Sequence, residues 1–189
     1  MPVQQDATLN LATLLKLDPE LGEEVYGEGE FMPSDALLEA DGLRVAAPLH
    51  WDLTVRATGG DDYILTGSVS GLVVQECRRC LTEVETTLRS SLIYPMVYRP
   101  RKSRGGEVLK LLEDDEDDTL VFSQPEVDFA PLLAQVFAIE SPLTVLCRED
   151  CRGLSLDGVN LNDHPEHAAP AQQERSTPSP FESLKDIEL

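Results

Sequence analysis

The chain has 189 residues, 41% of them hydrophobic, and carries 35 acidic against 15 basic side chains for a formal charge of −20. That length suits one globular domain with tails rather than two full domains. That charge opposes any function whose affinity comes from broad phosphate neutralisation, so an acidic surface points to a basic protein partner or to solubility alone.

Residues 1–30 read as an N-terminal segment, in which Leu9, Leu11, Leu14 and Leu15 suit either a short helix or an extended arm. No stretch approaches the roughly 18–20 apolar residues of a membrane span, and "MPVQQDATLN" lacks the basic and apolar regions of a secretory signal. A cytoplasmic protein without membrane contact is expected. A reducing compartment makes close cysteine pairs candidates for metal binding or redox chemistry rather than structural disulfides.

A single α+β domain is expected over residues 31–158. In "WDLTVRA", Trp51, Leu53 and Val55 face one way and Asp52, Thr54 and Arg56 the other, the period of a half-buried strand. Turn residues in "TGGDD" lead to "YILTGSVSGLVVQE", where Tyr63, Leu65, Val69 and Val73 continue the alternation and Gly67 and Gly71 mark bulges or close approaches. Val84, Thr86, Leu88 and Leu92 alternate again, which predicts an antiparallel β-meander or a partly open, barrel-like sheet.

Residues 98–120 run from a basic to an acidic block and read as a charged flexible insertion. Period then changes in "EVDFAPLLAQVFAIESP", where Asp128 can cap, Pro131 fits a first turn, and Phe129, Leu132, Leu133, Val136 and Phe137 share a helical face. This one main helix is expected to cover the sheet. Residues 159–179 read as a polar linker, and 180–189 as a short amphipathic segment in which Phe181, Leu184 and Ile187 recur every three residues.

Chemistry concentrates in the four cysteines. Cys77 and Cys80 are separated by two residues, and Cys147 and Cys151 by three, spacings that let each pair grip one ion from a turn. Four thiolates satisfy tetrahedral Zn²⁺, and a shared structural ion would clamp the helix end to the sheet. Unligated thiols and a redox switch fit the same spacing. Arg78 and Arg79, with Arg148 and Arg152, offset thiolate charge and favour either ligation or oxidation. His164 and His167 lie in the linker and read as solvated. No nucleophile elbow, phosphate-cradling loop or H-E-x-x-H stretch is present, and the acidic run at 113–118 is too repetitive for tuned acid–base work, so a non-enzyme is expected.

Four stretches, "ECRRCL" at 76–81, "EVDFAPLLAQVFAIESPLTVLC" at 126–147, "CREDCRGL" at 147–154 and "PFESLK" at 180–185, resemble in order and spacing the YceD family, named for accumulation of the large ribosomal RNA subunit. The resemblance implies a role in making or keeping large-subunit ribosomal RNA, in a family whose bacterial genes often neighbour one for a large-subunit ribosomal protein. It also exposes a departure. Many members continue with further cysteines after the Gly-Leu, whereas here "GLSLDGVN" follows, with Ser155 and no cysteine beyond Cys151.

The expected function is therefore a non-catalytic factor that binds a basic large-subunit ribosomal protein or an RNA-processing protein. The candidates for contact with ribosomal RNA or with the protein partner are the basic spots at Arg78, Arg79, Arg99, Arg101, Lys102 and Arg104. The alternative is a thiol or zinc redox-responsive interaction protein.

Overall fold

Alternating apolar residues in three long strands dictate the architecture, because a strand with one buried face must pair in a fixed register to keep that face inward. In the computed structural model, which describes residues 6–16, 22–33, 44–100, 109–112 and 119–168, these are β4 (Leu49–Gly59), β5 (Asp62–Glu76) and β6 (Glu83–Tyr98). Shorter strands are β1 (Thr8–Asn10), β2 (Glu24–Phe31), β3 (Arg44–Val45), β7 (Leu109–Leu112), β8 (Thr119–Phe122) and β9 (Glu126–Asp128). One helix, α1 (Ala130–Ile139), follows.

A seven-stranded open sheet runs in the order β2-β4-β5-β6-β8-β7, with β3 paired to β5. All pairs are antiparallel except β6 with β8. The expected meander is thus its centre. In register, Trp51 faces Val69, Val55 faces Leu65, and Gly71 faces Leu88, so one face is continuously apolar. Over that face lie the β1–β9 ribbon and α1, and Leu9, Leu14, Trp51, Leu65, Phe122, Val127, Phe129 and Phe137 join one hydrophobic cluster.

Gly71 shows what that cover requires. A Cβ there would strike the Leu49 side chain and stand 3.6 Å from Phe137. Because β5 passes through Gly67 and Gly71 without a register shift against β6, the glycines serve close approach rather than a bulge. The irregularity falls instead between Ala57 and Gly59, at the β4–β5 turn.

Three expectations need correction. Residues 98–120 are not wholly loop: β6 runs to Tyr98, Leu109–Leu112 and Thr119–Phe122 are strands, and Leu120 is buried. A hairpin that finds its partner in β6 can bury short apolar runs despite the charge around them. Nor do the described residues of the arm expected at 1–30 stand outside the domain, since β2 is a sheet strand and Leu9, Leu11 and Leu14 are core, tied down by Phe129 N–H to the Ala7 carbonyl at 2.9 Å. At α1, the cap residue is Phe129, while Asp128 Oδ1 accepts the Ala130 N–H at 2.9 Å. Residues 169–189, including the amphipathic segment, lie outside the described residues.

Candidate metal centre

The β5–β6 connection is a tight turn, and its residues determine where two thiols point. Leu81 N–H donates to the Cys77 carbonyl and Cys77 N–H to the Thr82 carbonyl, both at 2.9 Å, which folds Cys77 and Cys80 toward one point. Closing this turn holds Leu81 at φ 59°, in the left-handed region that disfavours leucine.

The segment after α1 brings the second pair. Arg78 N–H donates to the Val145 carbonyl at 2.9 Å, and the Arg79 guanidinium donates to the carbonyls of Cys151 at 2.9 Å and Glu149 at 3.3 Å. Arg78 also donates to the Leu143 carbonyl at 3.3 Å. The two arginines between the first cysteines therefore lash the second pair to the first. Gly153 completes the fit at φ 78°, where a Cβ would sit 3.1 Å from the Arg79 carbonyl oxygen.

All four Sγ atoms lie within 4.8 Å of one another, the one such cluster among the described residues. Cys77 Sγ is 3.8 Å from Cys151 Sγ, and Cys80 Sγ is 3.5 Å from Cys147 Sγ. Disulfides need about 2.0 Å, so these are four free thiols. Four sulfurs at the usual Zn–S distance of about 2.3 Å form a tetrahedron with edges of about 3.8 Å. The donor set and its spacing fit one Zn²⁺. Cys77, Cys80 and Cys151 are buried and Cys147 is exposed, although its thiol faces the cluster.

Local hydrogen bonding prepares the sulfurs unequally. Burial opposes a Cys77 thiolate, but backbone N–H groups at Cys147, Cys80 and Arg79 outweigh it and bring its pKa down to about 6. Cys151 is lowered chiefly by Asn162, whose Nδ2 donates to its Sγ at 3.3 Å. Cys147 moves the other way, pushed up to about 12 by burial and by the neighbouring thiols. A dication held among the four sulfurs would favour the thiolate at each of them.

Sequence pattern does not single out Asn162, because it falls in the polar, aperiodic stretch that begins at residue 159. That stretch instead folds back through a bridge between Leu154 and Asn160. Asn162 Oδ1 accepts the Arg152 N–H at 2.8 Å, which holds the amide toward Cys151. The signal was an Asn-x-Asn spacing just after Gly158. Removing this orienting contact by Asn162→Ala is expected to weaken zinc affinity about 10–100-fold, as loss of an outer-shell partner does; an unchanged affinity in chelator competition would count against that role.

Other predicted residues are dispersed. Arg99 closes β6, its N–H donating to the Phe122 carbonyl at 2.9 Å, while Arg101, Lys102 and Arg104 lie outside the described residues. His164 and His167 sit on a 3-10 turn (Pro165–His167), their rings 6.1 Å apart and both exposed.

The family model described as "Large ribosomal RNA subunit accumulation protein YceD" matches residues 65–188. The chain belongs to the YceD family. Its match includes all four cysteines and leaves out β1 to β4. An uncharacterized protein of Mycobacterium leprae is 30% identical over 135 residues, 69% of this chain and 57% of that protein. An uncharacterized protein of Mycobacterium tuberculosis is 29% identical over 140 residues, 71% of this chain and 62% of that protein. The YceD chain thus spans about three-fifths of the length of these relatives. No solved structure matches it. The family's description names an accumulation role for large-subunit ribosomal RNA and no reaction. No helix among the described residues is long and apolar enough to cross a membrane.

Proposed function

We propose that this protein is a non-catalytic factor that promotes accumulation of large-subunit ribosomal RNA by binding a basic ribosomal or RNA-processing protein. The family match across residues 65–188 carries the reading. Charge supports the partner class: at −20, the chain attracts a basic protein at long range and repels nucleic acid except at local basic spots such as the cysteine turn with Arg78 and Arg79.

In this reading Cys77, Cys80, Cys147 and Cys151 hold a structural Zn²⁺, which supplies cross-linking of the β5–β6 turn to the segment after α1 and no chemistry on a substrate. The arginines of that turn are held in place by the carbonyls they bind. Their remaining N–H groups are the donors available to a phosphate or a partner carboxylate.

Depletion is expected to lower the ratio of large- to small-subunit ribosomal RNA, with a matching fall in a Cys77→Ser strain. Unchanged ratios on depletion would overturn the reading. A fall on depletion with a normal ratio in Cys77→Ser would separate the cysteine centre from the role.

A second reading rests on the paired sulfurs. Cys80 and Cys147 at 3.5 Å, and Cys77 and Cys151 at 3.8 Å, lie across the two segments rather than within either pair. A redox-responsive interaction protein would join these cross pairs under mild peroxide, whereas thiols that stay reduced would remove this alternative.

A further inference from the structure

One wall of the cysteine centre is also the wall of an open groove of about 1090 Å³, between the end of β5 and the C-terminal end of α1. Most large apolar side chains of the described residues are buried, yet three that line this groove are not: Leu81 is 57% exposed, Ile139 79% and Leu143 89%. Clustered exposure of this kind marks a contact surface. Gln75 adds a polar anchor. Its Nε2 donates to Ser141 Oγ at 3.0 Å, while its Oε1 is buried without a hydrogen-bond partner at the groove wall, an acceptor awaiting a donor.

We infer that this groove receives the chain's own C-terminal segment, residues 180–189, with Phe181, Leu184 and Ile187 seated against Leu81, Ile139 and Leu143. Three observations choose this occupant. Its sequence, "PFESLKDIEL", carries an apolar stripe at helical spacing, and ten helical residues would be about 15 Å long. Its tether reaches: Asn160 and Asn162 bond Thr82 and Cys151 beside the cysteine centre, described residues run to Ala168, and a polar stretch to Phe181 spans about 45 Å at most. The family match, finally, begins after β4 and runs to residue 188, so the pattern shared with the family includes the groove residues from Val74 to Val145 and nearly all of this segment. Backbone N–H groups at the segment's start, or the Ser183 hydroxyl, are donors of the kind Gln75 Oε1 lacks.

The contact needs no ribosomal partner and is tested on the isolated full-length protein. A photoreactive benzoylphenylalanine replaces Ile139 or, in a second variant, Leu143; both side chains are exposed, so folding and metal content are expected to be unchanged. Irradiation of dilute protein is expected to give an intramolecular crosslink to the peptide bearing Phe181–Ile187. Adding Phe181→Ala and Leu184→Ala should cut its yield about tenfold or more, the scale set by truncating two seated apolar side chains. Folded protein giving no crosslink to this peptide from either position would overturn the inference. So would a crosslink that forms only between two chains, which would make a second copy the occupant.

Discussion

Stripping metal from the protein with a chelator at neutral pH is expected to lower its thermal midpoint by on the order of 10 °C, and the protein as isolated should hold one zinc per chain. The size follows from what the centre joins. Without the ion, the β5–β6 turn and the segment after α1 are held by a few backbone and arginine hydrogen bonds, each of modest net value. Cys77→Ser should reproduce the loss, because three thiolates and a hydroxyl no longer form the four-sulfur cage. Binding also carries a proton signature. Cys147, raised to about 12, is a neutral thiol in metal-free protein at pH 7 and must give up its proton on ligation. Zinc uptake is therefore expected to release protons, and affinity to fall as pH falls. Metal-free protein that melts at the same temperature as the isolated form, with no zinc by elemental analysis, would sink the centre.

The cysteine centre was legible because its signal is local. Two close pairs in a chain with only four cysteines leave few partners, and the strand-turn-strand pattern around Cys77 and Cys80 already places them at one sheet end. What the arginines do was only half legible. Their charge beside the thiols can be read from sequence, whereas Arg79 donating to the Cys151 carbonyl depends on how the segment after α1 returns. Asn162 escaped for the same reason.

In the fold, β4, β5 and β6 showed themselves because each is long and buries one face, so period two survives over many residues. Strands whose partners are distant did not. Residues 8–10 become β1 only by pairing with residues 126–128, and β8 pairs in parallel with β6. Neither of these partners is nearby in sequence, and β7, the hairpin mate of β8, is itself only four residues long, so "TLN" and "TLVF" carry apolar residues without a period long enough to read. Between residues 98 and 120, the charge blocks mask those short runs. Burial of Leu120 and Phe122 shows that a flanking acidic run does not prevent a strand when the sheet edge beside it is apolar.

Trp51→Ala is expected to remove about 3–5 kcal/mol, the usual cost of truncating a buried tryptophan, from a total that for ordinary domains is about 5–15 kcal/mol. Trp51 is 1% exposed near the start of β4, pairs with Val69 across the sheet, and faces the backbone of β2 at Gly29. Its Nε1–H donates to the Asp6 carbonyl at 2.9 Å, so the side chain both fills the core and pins the chain before β1. The substitution opens a cavity and releases that tie together. At roughly 2–4 °C per kcal/mol for a chain of this size, the midpoint should fall by about 10 °C or more. Yet Trp51 belongs to the large core, while Cys77, Cys80 and Cys151 form a separate small cluster at the sheet end. Zinc content at low temperature should therefore stay at one per chain in Trp51→Ala. A midpoint within about 2 °C of the parent would show that the core closes over the gap. Loss of zinc from a variant still folded by circular dichroism would show instead that the two clusters are coupled through β5, the strand that enters both the core and the cysteine turn.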